Sequence, residues 1–477
     1  MRKLVSAMGR HWRLVSSVAI LMLALTGGHA LAEGRFVPIA SAAELARAIE
    51  RAEPGDVLAL APGTYRVRRM DVTRPGTRKQ PITLRGAPGA VLETTAVETF
   101  WVAAPYWIFE DLTIIGVCKL DDYCEHAFHI VGGGDHTVVR RSRMIDFNAM
   151  IKGNGRTGPD GETRFPDHVR IEDNYLYNRD VRDTDNAVTL IDVLGTTDWL
   201  VRGNFLADFG KGRGNGISYA AFFKGNGHDN RFEENLVICN WRHRGGVRVG
   251  LSFGGGGATS PRYCRDGDCS VMETGGVMAN NIVMNCNEVG IYLNRAGSTR
   301  ILHNLLYGTA GIDVRYPEST AIIRNNILSG AIRERDGGSA IADGNIETGT
   351  WIAPWLPAAK RRIEAHLRDI PKKYPNWVPD GGLAVALSAM DHAFAFLDSS
   401  VAGNGMNALR DLYVDADNAD FSLWKDDEVR GRAVPAEGIG RDFCGNPRGA
   451  MPHDLGPIEY DTADCPRLRE VTGSLTN

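Results

Sequence analysis

The stretch Asn215 to Gly227 reads NGISYAAFFKGNG and sets a single amine, Lys224, at the end of an apolar run. A lysine in such surroundings can act as a base when burial or neighbouring cations lower its pKa. Cations follow closely: Trp241-Arg242-His243-Arg244, then Arg248, and further on Arg295. An arginine fork can neutralise a carboxylate through two parallel hydrogen bonds, and a histidine can supply a proton near neutral pH. Base, neutraliser and acid are the groups needed to remove a proton beside a carboxylate and expel an oxygen. Lys224 is therefore the candidate base. Arg248, Arg295 or Arg244 is the candidate neutraliser, and His243 or Tyr219 the candidate acid. Asn215, Tyr219, Trp241, Arg244 and Lys152 are candidates for holding a substrate, the aromatic rings by stacking. Lys152 stands in IKGNG and shares the tetrapeptide KGNG with Lys224, a repetition that a common corner geometry would also produce.

A second group is acidic. Asp180, Asp183, Asp185 and Asp192, with Asp208 beyond them, could supply the paired carboxylates of a glycoside hydrolase. Asp183, Asp185 and Asp192 could also offer oxygen ligands to calcium, which prefers several such donors; no other cofactor is indicated. The eight cysteines contain no CxxC pair, so they do not suggest a zinc site.

These residues need a scaffold, and the sequence repeats. EDNYLY, RGNFLA, EENLVI, NNIVMN, LHNLLY, RNNILS and DGNIET share one frame, with an apolar residue after Asn174, Asn204, Asn235, Asn281, Asn304, Asn326 and Asn345. The later intervals are near one turn of a parallel β-helix, and the longer ones require inserted loops. At each corner a buried Asn can bond stranded backbone groups and the Asn of the next coil, making a ladder. Between the frames lie short apolar strands with little alternation, as parallel sheets require. Insertions fall at 153–167 and 254–275. Upstream, Ser41 to Glu53 reads SAAELARAIERAE, with a capping box at Ser41 and Glu44 and an apolar face of Leu45, Ala48, Ile49 and Ala52. Pro54-Gly55 ends this helix, which can cover the open end of a solenoid.

The chain has 477 residues, 43% of them hydrophobic, and a formal net charge of -4. That rules out a global basic field for nucleic acid, so a polyanion would be bound by a local patch. Residues 1–32 read as a secretory signal: basic residues, an apolar run from Leu14 to Leu25, and Ala30-Leu31-Ala32 before Glu33. Export permits disulfides, expected as 118–124, 264–269 and 444–465, with 239–286 as a further pair. After removal of the signal no membrane association is expected. The charged segment from Pro357 to Tyr374 reads as a surface helix.

The Asn215-to-Lys224 spacing, with the cap helix and the PGDVLALAPGTY that follows it, resembles the chondroitinase B and alginate lyase family of β-helix polysaccharide lyases. The resemblance covers about residues 37–310. It implies a strand that begins on a calcium-ligating Asn, here Asn215, and ends on a catalytic Lys, here Lys224. It departs from the family at two points. The positions of the family's two calcium-ligating glutamates hold Ile217 and Tyr219, and its partner Arg falls near Phe253 or Gly254.

The expected fold is all-β: a single-stranded right-handed parallel β-helix, a pectate-lyase-like solenoid, with an N-terminal cap helix at 41–53 and an irregular C-terminal cap. The solenoid spans 33–346, the last coils and cap 347–460, and a mobile tail 461–477. The expected function is that of an exported monomer, periplasmic or secreted, that cleaves a uronate-containing acidic polysaccharide by β-elimination. The alternatives are a glycoside hydrolase or uronate epimerase using the Asp180–Asp192 group, and a non-catalytic glycan-binding β-helix.

Overall fold

The computed structural model describes residues 34–255, 260–348, 355–373, 379, 381–393, 412–416, 419–424, 427–450, 452–460, 465 and 467–468. The expected signal segment 1–32 and most of the tail after 461 lie outside them. Within that tail, Cys465 is bonded to Cys444 and Arg467 pairs with Glu234 at 2.6 Å.

Three sheets of twelve, ten and eleven strands run the length of the molecule. Strands of successive coils pair in parallel, residue above residue. The inner faces close on one apolar core in which like side chains stack from coil to coil, as Phe100 does on Phe128 at 5.0 Å. The Ala42–Glu50 helix covers the N-terminal end. Ser41 Oγ accepts the Glu44 N–H, Glu44 accepts the Ala40 N–H, and Leu45 and Ile49 point into the core. A second helix spans Trp355–Lys373.

The asparagine ladder forms throughout. Asn174 Nδ2 donates to Asn204 Oδ1 at 2.9 Å, and the bond recurs through Asn235, Asn281, Asn304, Asn326 and Asn345. Each Oδ1 also accepts the main-chain N–H of the preceding ladder residue. Each residue just before a ladder Asn, from Asp173 to Gly344, sits at positive φ, which is the corner itself. Only two of these seven are Gly, at 203 and 344; elsewhere side-chain and ladder bonds offset the strain that L-residues meet in this region.

All four disulfides join the expected partners. Cys239–Cys286 ties two coils across 47 residues, whereas Cys118–Cys124 closes only 6. Loop-closure entropy gives about 4 kcal/mol for the first and about 2 kcal/mol for the second. Replacing Cys239 and Cys286 with Ser should therefore lower the urea-unfolding free energy more than replacing Cys118 and Cys124. Equal losses would contradict this ranking.

Candidate active site

The three outer faces of the solenoid differ in what covers them. On the eleven-stranded sheet, Phe205, Ile238, Met284 and Tyr307 pack against Leu412, Phe421, Phe443 and Leu455 of the C-terminal region. From Tyr175 to Ile346 that face is closed. On the twelve-stranded sheet, arginines and glutamates satisfy one another. Burial alone would raise the Glu110 carboxyl, but Arg140, Arg85 and Arg141 hold it at about 2. Arg170 and Arg202 share Glu172 in the same way.

The ten-stranded sheet is different. Its register stacks Asp71, Trp101, His129, Lys152, Asp192, Phe222, Ser252, Tyr292, Asp313 and Arg333 in one column. At about 4.8 Å per strand this column is about 43 Å long, a length suited to a linear polymer. Lys224 stands beside it, opposite Leu194 and two residues beyond Phe222.

Lys152 Nζ lies 2.8 Å from Asp192 Oδ2. Asp192 is only 6% exposed, and its Oδ1 has no hydrogen-bond partner among the described residues. Burial favours its neutral form, but Lys152 and Lys224, with His126, outweigh that and hold the carboxyl below the usual range. Lys224 Nζ lies 4.4 Å from the centre of the Phe222 ring. Burial pushes its amine below the ordinary lysine value; Asp192 opposes the shift and Lys152 adds to it. Among the described residues Lys224 has no ion pair of its own, because Asp192 is bonded to Lys152.

The two insertions border this site. Residues 156–157 and 163–164 form a small hairpin. Arg265, from the second insertion, bonds Asp167 at 2.5 Å and the Gly195 carbonyl at 2.7 Å, and its N–H donates to the Gly225 carbonyl. Asp167 and Arg265, one from each insertion, are thereby joined at the corner that follows Lys224.

At the other end of the site, Trp101 is half-buried with Arg69 at 4.5 Å and Arg156 at 5.7 Å from its ring. Glu98, His126, His129 and Asn154 lie next to it. His129 meets Glu98 at 2.6 Å and Asn154 at 2.7 Å. Burial, followed by the charges of His129 and Lys152, pushes His126 down to about 4. The sequence reading does not single out these residues. The available signal was EHAFHIV, two histidines on an otherwise apolar strand.

The residues expected from the sequence fall into two groups. Lys224 and Lys152 are brought together through Asp192. The KGNG tetrapeptides, however, are out of step: Lys152 shares its column with Phe222, not with Lys224. Arg248 is not brought to Lys224. It lies opposite Ser218, toward the other end of the strand, and is fully buried. There its guanidinium, pushed down to about 10 by burial, donates to the Cys239 and Gly245 carbonyls and meets His243 at 2.9 Å. A corner with unpaired carbonyls needs a multi-donor side chain, and Arg248 with His243 fills that need. Arg295 stands one position past Lys224's column, and its guanidinium meets Tyr316 at 5.0 Å and Glu318 at 3.9 Å.

Tyr219 is buried against Phe222. Trp241 packs on Phe205 at 5.2 Å, next to the closed sheet. Arg244 is exposed, and Asn215 accepts the Ile217 N–H. Asp183 and Asp185 both face Arg213, at 3.1 and 3.9 Å. Asp192 is bonded to Lys152, so the three aspartates do not form one calcium ligand set.

The chain matches no protein-family model and no curated protein. Among solved structures it is similar to pectate lyase Pel9A, with 13% identity over 89% of this chain and 96% of that one and a TM-score of 0.54. An alginate lyase from Paenibacillus sp. str. FPU-7 matches at 16% identity over 66% of this chain and 95% of that one, with a TM-score of 0.35. The PL6 family polysaccharide lyase Pedsa3628 from Pseudopedobacter saltans matches at 15% identity over 65% and 92%, with a TM-score of 0.34. At such low identity the likeness concerns the fold: the chain is a parallel β-helix solenoid similar in structure to pectate lyase Pel9A.

Proposed function

We propose that this protein is an exported polysaccharide lyase that cleaves a uronate-containing acidic polysaccharide by β-elimination on its ten-stranded face. The observation that carries this reading is Lys224, a half-buried amine that burial pushes below the ordinary lysine value and that makes no ion pair among the described residues, beside the Lys152–Asp192 pair. In its neutral form Lys224 takes the proton from the carbon next to the uronate carboxylate. The carbon–hydrogen electron pair becomes the new double bond, and the bond to the glycosidic oxygen breaks. The ammonium just formed is the nearest proton source for that oxygen, so one residue can close the proton balance. Lys152 is the cation placed to face the substrate carboxylate, with Asp192 holding it in position. Trp101 between Arg69 and Arg156 suits a neighbouring acidic sugar, with the ring stacking and the guanidiniums pairing.

Four disulfides fit an oxidising compartment. No helix of the described residues is long and apolar enough to cross a membrane. The test is to incubate the purified protein with alginate, chondroitin, dermatan and pectate while following ultraviolet absorbance and reducing ends. Absorbance of an unsaturated product is expected with one of the four. Reducing ends without absorbance would favour a hydrolase, and neither signal on any polymer would count against an enzyme of this class.

A further inference from the structure

At the end of the column away from the proposed base lies a set of donors that the elimination does not use. Glu98 starts one strand of the ten-stranded sheet, and His126 and His129 lie on the next. One ligand atom from each falls within 4.8 Å of the others. Their outer partners fix which atoms are free. His126 Nδ1 is 2.9 Å from the Ala149 carbonyl. A carbonyl only accepts, so Nδ1 carries the hydrogen and Nε2 keeps its lone pair. His129 Nε2 is 2.7 Å from Asn154 Oδ1. Asn154 Nδ2 donates to the Gly155 carbonyl at 2.8 Å, which fixes Oδ1 as the acceptor and places the His129 hydrogen on Nε2. His129 Nδ1 then faces a Glu98 carboxylate oxygen at 2.6 Å. Two lone pairs at that distance need a positive species between them, either a second ring proton or a cation. The other Glu98 oxygen is ion-paired with Arg69 at 3.2 Å and accepts no hydrogen bond among the described residues.

Imidazoles whose remaining N–H groups are tied to carbonyl oxygens are the usual surroundings of metal-binding histidines. Two imidazoles and one carboxylate suit zinc and its neighbours, with a position left open, and suit calcium poorly because it takes many oxygens. We propose that Glu98, His126 and His129 bind one zinc-class divalent ion through a carboxylate oxygen, His126 Nε2 and His129 Nδ1. Around an ion with bonds of about 2.0–2.1 Å the ligand atoms stand about 3.3 Å apart. Binding therefore opens the Glu98–His129 contact by under about 1 Å and draws His126 inward. Lys152 follows His129 in the column, so the open position lies beside the proposed cleft and can take an oxygen of the polymer. That last use rests on the lyase reading; the binding itself does not.

The test is cobalt(II) and zinc titration of the chelator-treated full chain, followed by visible absorption and metal analysis. One ion per chain is expected, with the visible bands of four-coordinate cobalt that zinc displaces. His126→Gln and His129→Gln should abolish the bands. Asn154→Ala, which removes only an outer partner, should weaken affinity about 10- to 100-fold. A wild-type protein that is folded by circular dichroism and takes up neither metal would overturn the site and leave Glu98–His129 as a plain ion pair. Wild-type affinity in both histidine variants would overturn it as well. Failure on every polymer would remove the lyase reading but leave the titration to decide the metal, and lyase activity unchanged by chelator would overturn only the ion's use by the polymer.

Discussion

Replacing Lys224 with alanine is expected to lower kcat/KM on the cleaved polymer by about 10²- to 10⁴-fold, the range for loss of a positioned general base. The loss should fall on kcat, because Trp101, Arg69 and Arg156 still hold the chain on the same face. Lys224→Arg discriminates the role further. It keeps the positive charge beside Asp192 but cannot release a proton near working pH, so it should be as inactive as the alanine variant; an electrostatic role alone would leave it active. The wild-type profile should rise with pH as Lys224 loses its proton. Its midpoint should lie below that of a free lysine, because burial and Lys152 outweigh the pull of Asp192. The rise should vanish in both variants. Stability should not fall with activity, since the half-buried amine makes no ion pair among the described residues and its removal leaves Asp192 bonded to Lys152. Full activity in Lys224→Ala, measured by product absorbance on protein with an unchanged melting curve, would remove Lys224 from the chemistry.

The solenoid was legible in the sequence because each ladder asparagine meets a local demand. A corner with unpaired backbone groups selects one side chain with both a donor and an acceptor, and the same demand recurs in every coil, so Asn174 through Asn345 stand out in a single chain. The capping box at Ser41 is local in the same sense. The site is not. His129, Lys152, Asp192 and Phe222 share a column only once the register of four coils is known, and a two-residue error moves a side chain to another column. The repeated KGNG suggested that Lys152 and Lys224 align, yet Lys152 aligns with Phe222. Arg248 misled for the opposite reason. An arginine two residues before the glycine of VGLSF reads as surface charge, but its work is to satisfy the Cys239 and Gly245 carbonyls inside the wall. The closing of one face by the C-terminal region depends on contacts across more than 100 positions, as between Asn325 and the Val434 carbonyl at a separation of 109, and no periodicity announces it.

Asn235→Ala is expected to be the most damaging single change to stability. Asn235 is fully buried at mid-ladder. Its Oδ1 accepts the Asn204 main-chain N–H and Nδ2, each at 3.0 Å, and its Nδ2 donates to the Val201 carbonyl and to Asn281 Oδ1, each at 2.9 Å. Truncation orphans the Asn204 N–H and the Val201 carbonyl where water cannot reach. At about 1–3 kcal/mol for each buried unsatisfied group, the loss should be about 4 kcal/mol in urea unfolding. Asn345 ends the ladder and is only half-buried, so Asn345→Ala should cost about 1 kcal/mol, with water replacing the lost bonds. Asn235→Asp separates shape from hydrogen bonding. It keeps the acceptor oxygen but replaces the Nδ2 donor with a second acceptor oxygen, which then faces two acceptors, the Val201 carbonyl and Asn281 Oδ1. The folded state then favours the protonated acid, which can still donate, so the carboxyl's folded pKa lies above its unfolded value of about 3.9. The stability that depends on that proton is fully present below about pH 4 and is lost as pH rises through the folded pKa, by up to about 1.4 kcal/mol per pH unit. Asn235→Asp should thus approach wild type in acid and fall toward or below Asn235→Ala at neutral pH. A pH-independent difference between the two variants would show that the ladder acts by filling space and not by the bonds that join one coil to the next.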